Sequence, residues 1–539
     1  MLQTLSLRGR KWQARHGGIW EQLPLMSAAN ICSTLTASRC LGETSVKIPS
    51  PPDLARAVER IRYAVETKEH VGIFGDYDCD GITAAAQMVR YFERRGIKPI
   101  VRLPHRVHDG YGLSEEIVEE WIEHDIKLLI TVDTGMSAVA PIAALQKKGI
   151  DVIVVDHHHV QAELPPAFAL LHPALTPGFP LPHPSGAGMA FLLLNALENG
   201  AWEDMPSDRA LAMIGTVADL VELRGLNRAI VQRGLLSLES LRSGPLATLR
   251  DSVSKGGIAL TSTDIAFRIA PRLNAAGRMD DPMLALDAIL RGGAHVERLH
   301  QLNRARQDIT GSLVLRAATE TGQNAPLMAS ASEEYPHGII GLIAGSLTEN
   351  TGRPSIVAAI HGEYATASLR SPACYHVTEG LLRASDLLES FGGHAQAAGC
   401  RFRADRWKEL TLRLSADILA HVPLDALTPC IDIDARIDAS EISIALADSL
   451  GSLEPFGQGN PEPRFVLCNV HAEQLRRVGT DGVHLQAKIA GHKAVGFRMG
   501  SLFGQIEDPL DIVCRIGMDS WNGRRGVQLF VEDAKRIEN

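Results

Sequence analysis

The run Val71-Gly72-Ile73-Phe74-Gly75-Asp76-Tyr77-Asp78-Cys79-Asp80-Gly81 constrains this chain more than any other stretch. Its apolar opening, 71–74, reads as a buried strand, and acids then stand at alternate positions before a helix-forming run that starts at Ala84. Carboxylates crowded at one strand end repel each other by on the order of several kcal/mol in a low-dielectric cleft. A positive partner is required, and a divalent cation is the simplest one. Taken alone the pattern also fits a solvated acidic turn or a Ca²⁺ loop, although no EF-hand ligands follow it.

The same form recurs twice. The apolar run 128–132 ends in Asp133-Thr134-Gly135, and the run 152–155 ends in Asp156-His157-His158-His159. Helical patterns at 115–122 and 138–148 separate these strands, so the order implies a parallel sheet with right-handed crossovers. In such a sheet the strands' carboxyl ends share one edge, where ligands bind. Asp78, Asp80, Asp133 and His157 are therefore expected to converge. Asp219, within the otherwise apolar stretch 214–220, is a further acidic candidate, since a buried lone carboxylate is costly unless paired or metal-bound. A capping or salt-bridged role is the alternative for it.

At 539 residues the chain has room for two to four domains. Hydrophobic residues make up 45% and charged residues 22%, and no apolar run approaches the ~20 residues of a membrane span, so a membrane role is not expected. With a net charge of −9, any polyanion must be met by a local basic surface. The eight cysteines show no C-x-x-C spacing, which points to a reducing compartment and hence a cytoplasmic location. In the loop 102–114, two Arg, two His and a Tyr could serve phosphate and base, or simply be solvated. The segment 284–318 reads as one long helix, and short alternating runs such as 483–489 and 527–531 suggest a small barrel. Trp521-Asn522-Gly523-Arg524-Arg525 offers an aromatic and two cations to a single strand, or is a solvated turn.

Together, Asp76-Tyr77-Asp78-Cys79-Asp80-Gly81, Val132-Asp133-Thr134-Gly135, Asp156-His157-His158 and Ala218-Asp219 resemble, in order and spacing, the four motifs of the DHH phosphoesterases. Ala270-Pro271-Arg272-Leu273-Asn274-Ala275-Ala276-Gly277-Arg278-Met279 is similar to the fifth block of the RecJ-type single-strand DNA exonucleases within that family. Phe391-Gly392-Gly393-His394 resembles the signature of the DHH-associated domain, and Glu454-Pro455-Phe456-Gly457-Gln458-Gly459-Asn460-Pro461 the opening of the RecJ oligonucleotide-binding domain.

The resemblance implies an α/β fold: a lead-in at 1–50, a DHH catalytic domain at 51–283, a connecting helix at 284–324, a smaller α/β DHH-associated domain at 325–428, and an OB-fold barrel at 429–539. It implies a 5′-to-3′ exonuclease that releases mononucleotides from single-stranded DNA in repair and recombination, using Mn²⁺ or Mg²⁺, two ions during catalysis. Asp76, Asp78, Asp80, Asp133, His157 and Asp219 match metal-site positions, Asp133 as the bridge; Asp156 is a nearby carboxylate and His158 matches the contact to the scissile phosphate. Ser368 and Arg370, with Arg106, match residues that hold a terminal 5′ phosphate. Gly393 and His394 match further substrate contacts, as do Arg272, Asn274 and Arg278 of the fifth block, and Trp521 and Arg524 are assigned to the strand on the barrel. Phe74 departs from the pattern, since some relatives carry a His there, which implies that one of the two metal sites is poorer in ligands or forms only with substrate. Single-strand-binding protein or a helicase are the implied protein partners, without the extra C-terminal domain that some relatives use. The rival classes are a DHH phosphoesterase of short oligonucleotides and a non-catalytic scaffold, which would have lost the acids.

Overall fold

Strands β1 (Val71–Gly75), β2 (Ile100–Arg102), β3 (Leu128–Val132), β4 (Asp151–Val155) and β5 (Ala169–Leu171) form a sheet in the order β2-β1-β3-β4-β5, every pair parallel. All five residues of β1 and of β3 are buried, which is why both read as continuous apolar runs rather than alternating ones. Side chains on alternate positions serve two cores. Ile73, Ile130 and Ile153 face the core shared with α1 (Cys79–Glu93), α4 (Gly186–Leu197) and α5 (Pro206–Ala218). Phe74, Leu129 and Val152 face the core shared with α2 (Glu115–Glu123) and α3 (Val139–Lys147). Phe74, fully buried, is thus a core residue of the second face.

Register decides where the acids fall. Gly75 pairs with Val132, Val132 with Val155, and Val155 with Leu171. The residues one step further, Asp76, Asp133, Asp156 and His172, therefore leave the same edge of the sheet on adjacent strands about 4.8 Å apart.

This computed structural model describes residues 5–41, 48–106, 109–110, 112–254, 258–322, 325–519 and 525–537. They divide into two units. The sheet above lies in the one made of Arg39–Gln307 and Glu454–Pro461, together with α6 (Gly225–Ser240), α7 (Ala270–Met279) and α8 (Met283–Arg291). The expected single helix at 284–318 is instead two, α8 and α9 (Ala294–Glu320), because Gly292 and Gly293 both take positive φ, +70° and +59°.

The other unit, Met1–Ser38, Asp308–Leu453 and Glu462–Asn539, holds two sheets of interest. Strands β6 (Met328–Ser332), β7 (Ser355–His361), β8 (Tyr364–Arg370), β9 (Ser390–Gly393) and β10 (Ala397–Arg403) run in the order β9-β10-β8-β7-β6, with only β6–β7 parallel. Strands β11 (Phe465–Val470), β12 (Glu473–Val478), β13 (His484–Ile489), β14 (His492–Gly496), β15 (Leu510–Asp519) and β16 (Gly526–Arg536) run β12-β13-β14-β16-β15-β11. Beyond β11 the sheet continues in parallel through Ala435–Ile437 to Leu25–Met26, and only residues 471–472 separate β11 from β12 at the opposite edge, so the sheet curls round on itself as a small barrel does.

The N-terminal segment, expected to be an irregular lead-in, is built into this unit. Lys11–Ala14 pairs in parallel with Cys430–Ile433, Trp12 Nε1 donates to the buried Asp533 Oδ2 at 3.1 Å, and Ala28–Ser38 is helical.

Helix α5 crosses α1 and α4 closely because residue 215 lacks a side chain. A Cβ on Gly215 would stand 2.4 Å from Ala187 Cβ and 2.4 Å from Asp80 Oδ1. Gly215→Ala is expected to cost about 1–3 kcal/mol of stability in urea unfolding, the usual range for overpacking; an unchanged midpoint would contradict this packing.

Candidate metal centre

Asp78 caps α1: it is extended (φ −94°, ψ −180°), and its Oδ1 accepts the N–H groups of Asp80 at 2.9 Å and Gly81 at 3.2 Å. Asp80, in the first turn, is also met by a second helix. Its Oδ2 accepts the Gly186 N–H at 2.6 Å and its Oδ1 the Ala187 N–H at 3.0 Å, both at the start of α4. Two helix N-termini thus support one buried carboxylate. Gly186 is needed for a further reason, since a Cβ there would lie 2.4 Å from Asp133 Oδ1.

Asp133 follows β3 at φ +59°, a left-handed backbone that Asp tolerates better than most residues, and its N–H donates to Val155 O at 2.9 Å. From the next strand His157 brings Nε2 to 3.1 Å from Asp133 Oδ1, 3.7 Å from Asp219 Oδ2 and 3.9 Å from Asp80 Oδ2. Asp219 arrives from a different direction, as the residue that ends α5. Among the described residues three groups bring their ligand atoms within 4.8 Å of one another: Asp80, His157 and Asp219; Asp133, His157 and His158; and Asp76, Asp78 and Asp133.

Electrostatically the centre is under strain. Burial, then the charge of Asp78, pushes Asp76 from its ordinary 3.8 up to about 8. Burial, then Asp80 and Asp78, raises Asp219 to about 9 and holds Asp133 well above the carboxylate range. Asp80 rises only to about 6, because the α4 amides favour its charged form against burial and Asp78. His157 goes the other way: burial and the charge of His158 lower it to about 4, leaving a neutral imidazole.

These groups fit a divalent cation. Asp133 Oδ1 and His157 Nε2 are buried and make no hydrogen bond among the described residues, although they face each other. A set of carboxylate oxygens with one neutral imidazole nitrogen suits Mn²⁺ or Mg²⁺ better than a closed zinc site. A cation would also satisfy the orphaned pair and reverse the mutual repulsion.

Asp156 does different work. Its Oδ1 takes His158 Nδ1 at 2.8 Å and the His157 and His158 amides at 2.7 and 3.1 Å, while Oδ2 takes the Met136 amide at 3.0 Å. Burial disfavours its charge, but these bonds and the His158 charge prevail and hold it at about 2. Burial likewise opposes the His158 cation, and the Asp156 bond and charge overcome it, raising His158 to about 9. Asp156 is thus a brace for a cationic imidazole rather than a member of the metal groups.

Among the expected substrate residues, Asn274 Oδ1 accepts the Cys79 N–H at 2.9 Å and so fixes the start of α1. Arg272 Nε bonds His300 Nδ1 at 2.8 Å, and its Nη1 donates to Arg268 O. Arg106 lies 4.1 Å over the Tyr77 ring, and the charge of Arg278 also acts on that tyrosine, whose hydroxyl burial has raised. In the other unit Arg370 Nη1 donates to Ser368 Oγ at 2.9 Å, and Gly341 leaves room beside both. Gly393 has φ +143° and, like His394, is exposed. Trp521 and Arg524 lie outside the described residues.

Two supports went unread in the sequence. His172 Nε2 bonds His158 O at 2.7 Å; the apolar run 169–171 ending in a polar residue was the available signal. The other, the α4 start, carried one in Ser185-Gly186-Ala187-Gly188, where Ser185 Oγ accepts the Gly188 N–H at 3.2 Å.

Known proteins share these domains. The DHH family N-terminal domain matches residues 70–218, the DHHA1 domain residues 324–418, and the RecJ OB domain residues 433–533. The single-stranded-DNA-specific exonuclease RecJ of Thermus thermophilus is 32% identical over 491 residues, covering 90% of this chain and 71% of its own length. The chain belongs to the RecJ family. The Bacillus subtilis RecJ is 31% identical over 503 residues, and the match takes in 89% of this chain but 63% of that protein. The crystal structure of Thermus thermophilus RecJ in complex with Mn²⁺ superposes with a TM-score of 0.82 at 28% identity, covering 99% of this chain and 80% of that one. A Mg²⁺ complex of the same RecJ gives 0.75 at 26% identity over 98% and 79%.

If the acids form a cation site, Mn²⁺ at 100 times its Kd should stabilise the protein by about 2.7 kcal/mol and raise Tm. A carboxylate whose folded pKa is raised contributes stability fully below its unfolded value and loses it as pH climbs through the folded value. For Asp80, Asp76 and Asp219 that window runs from the ordinary 3.8 up to about 9. The Mn²⁺-induced rise in Tm should therefore be larger at pH 8 than at pH 6 in thermal melts; an equal or absent rise would contradict the assignment.

Proposed function

We propose that this chain is a divalent-metal-dependent exonuclease that hydrolyses single-stranded DNA from the 5′ end and releases 5′-mononucleotides, in repair and recombination. The observation that carries this reading is the meeting of Asp80, Asp133, His157 and Asp219 around one point on the sheet edge. Asp80, His157 and Asp219 would hold one ion, Asp76 and Asp78 a second, with Asp133 between them. When bound, such a pair supplies an activated water and offsets charge on the leaving oxygen.

The chain's own part is positioning and charge. His158, cationic at neutral pH and held by Asp156, donates to an oxygen of the scissile phosphate and opposes the negative charge that develops there. Asn274 keeps the Asp78–Asp80 turn in place through the Cys79 amide. Arg106 is assigned to the substrate phosphates beside Tyr77, a ring suited to a base. The full set of acids argues against a non-catalytic scaffold, and the RecJ OB match favours long strands over dinucleotides.

Polarity is assigned to the Ser368–Arg370 pair. Arg370 is pre-oriented by Ser368 Oγ and by Leu369 O at 2.8 Å, and a Cβ on Gly341 would sit 3.2 Å from both side chains, so the glycine leaves their polar ends uncrowded. A terminal 5′ phosphate is the matching ligand. Gly393 and His394 are assigned to the neighbouring backbone, and single-strand-binding protein or a helicase to the partner class. No helix among the described residues is long and apolar enough to cross a membrane; a cytoplasmic location accords with this reading.

In a Mn²⁺-dependent assay on 5′-labelled single strands, Asp133→Ala should lose more than about 100-fold in rate while still binding DNA without metal. Unimpaired turnover would refute the site. Removing the 5′ phosphate, or making Arg370→Ala, should lower kcat/KM by about 10- to 100-fold, as for loss of one or two charge-assisted hydrogen bonds. Equal values for phosphorylated and dephosphorylated strands would remove the proposed end pocket.

A further inference from the structure

The loop Glu454–Pro461 belongs to the unit that carries the metal centre, although the residues on either side of it belong to the other unit. It docks on residues 222–224, a few residues beyond Asp219. The Leu223 N–H donates to Gln458 O at 2.8 Å, and Arg224 Nη2 to Gly459 O at 3.4 Å. Two glycines permit the approach. A Cβ on Gly457 would stand 2.7 Å from Leu223 Cδ1, and one on Gly459 would stand 3.1 Å from Glu222 Cβ.

The loop is stiff in its own right. Asn460, fully buried, donates from Nδ2 to Pro455 O at 2.9 Å and accepts Arg39 Nη1 on Oδ1 at 2.8 Å. Gly457 and Asn460 exchange backbone hydrogen bonds at 2.9 and 3.1 Å. Outer anchors hold it to the same unit: Ser262 Oγ donates to Phe456 O at 2.7 Å and Arg228 Nη2 to Glu454 O at 2.7 Å.

The stretch that leads from Asp219 to the clamped residues begins with an unfavourable one. Leu220 has φ +59°, the left-handed region that a Leu side chain disfavours, and it is 69% exposed, so its own packing does not hold it there. That turn ends α5 at Asp219 and sends the chain away from the helix axis. A strained conformation persists only where its surroundings over-determine it. On one side α5 holds Asp219, whose N–H donates to Gly215 O at 2.9 Å. On the other, Glu222 O accepts Asn227 Nδ2 at 3.1 Å, and Leu223 is held both by its burial in the core and by the loop's grip on its amide.

We propose that Glu454–Pro461 is a positioning element of the metal centre: by gripping residues 222–224 it sustains the turn at Leu220 and keeps the Asp219 carboxylate 3.7 Å from His157. The proposal rests on reading Asp219 as a ligand. The hydrogen bonds described for the loop run to Arg39, Leu223, Arg224, Arg228, Gln232 and Ser262, so its role is positioning. A loop that merely anchored the chain would change stability and leave ion affinity alone.

The test is an electron-paramagnetic-resonance titration of Mn²⁺ into the full chain, made with Asn460→Ala, Gly457→Val and Asp219→Ala and with each loop variant combined with Asp219→Ala, alongside thermal melts. Both loop variants should weaken one Mn²⁺ site by about 10-fold or more, as loss of ligand-orienting partners does. In the Asp219→Ala background they should add less than about twofold, because the group they position is gone. Folded loop variants that bind Mn²⁺ as the wild type does, or an undiminished loss in the Asp219→Ala background, would overturn the proposal. If Asn460→Ala and Gly457→Val do not fold, Ser262→Ala, which removes one hydrogen bond, carries the same comparison: a measurable loss confined to proteins with Asp219 supports the role, and no loss overturns it. Failure of the wild type to bind Mn²⁺ would instead sink the metal-centre reading itself.

Discussion

Like-charge crowding at one edge of the parallel sheet is the constraint on which the rest of this unit depends. Register places Asp76, Asp133 and Asp156 side by side, and the start of α1 and the end of α5 add Asp78, Asp80 and Asp219. In water such acids would move apart. Here each is held by an element whose own packing is committed: Asp78 and Asp80 by the start of α1, Asp80 again by α4, Asp133 by the end of β3, Asp219 by the end of α5. Burial and the neighbouring acids raise the pKa values of Asp76, Asp133 and Asp219, the direction that such confinement imposes. A cation at the centre would turn the same repulsion into attraction.

Two carboxylates a few ångströms apart are treated in opposite ways, and that divides the site into parts. Asp133 makes no hydrogen bond through Oδ1 and faces His157, whereas Asp156 accepts four bonds and is held at about 2. The first is arranged to receive an ion, the second to keep an imidazole charged. His157 and His158 are adjacent in sequence yet shift in opposite directions, to about 4 and about 9, for the same reason. One ring is left neutral, as a metal ligand must be, and the other is held as a cation by Asp156.

The strand-end acids were readable because buried parallel strands leave plain apolar runs, and the turn from strand to acid is abrupt at 75–76, 132–133 and 155–156. Their convergence followed from topology alone. What remained hidden depends on close approach between distant segments: the α4 amides on Asp80, the absence of a Cβ at Gly186 and Gly215, and the support of Asn274 under Cys79. Such features have no local pattern, because a glycine needed for contact looks like any other glycine. The break at Gly292-Gly293 was missed since apolar residues at helical spacing lie on both sides of it, and the N-terminal strand Lys11–Ala14 because it finds its partner at 430–433. The loop at 454–461 was legible as a family motif but not as a neighbour of Asp219.

The central claim is that a divalent ion sits among Asp80, Asp133, His157 and Asp219. Crystals of the full chain grown with MnCl₂, with diffraction recorded at the manganese absorption edge, test it directly. The account predicts an anomalous peak within coordinating distance of those four side chains. An empty map at that point, with manganese bound elsewhere or nowhere, would contradict it.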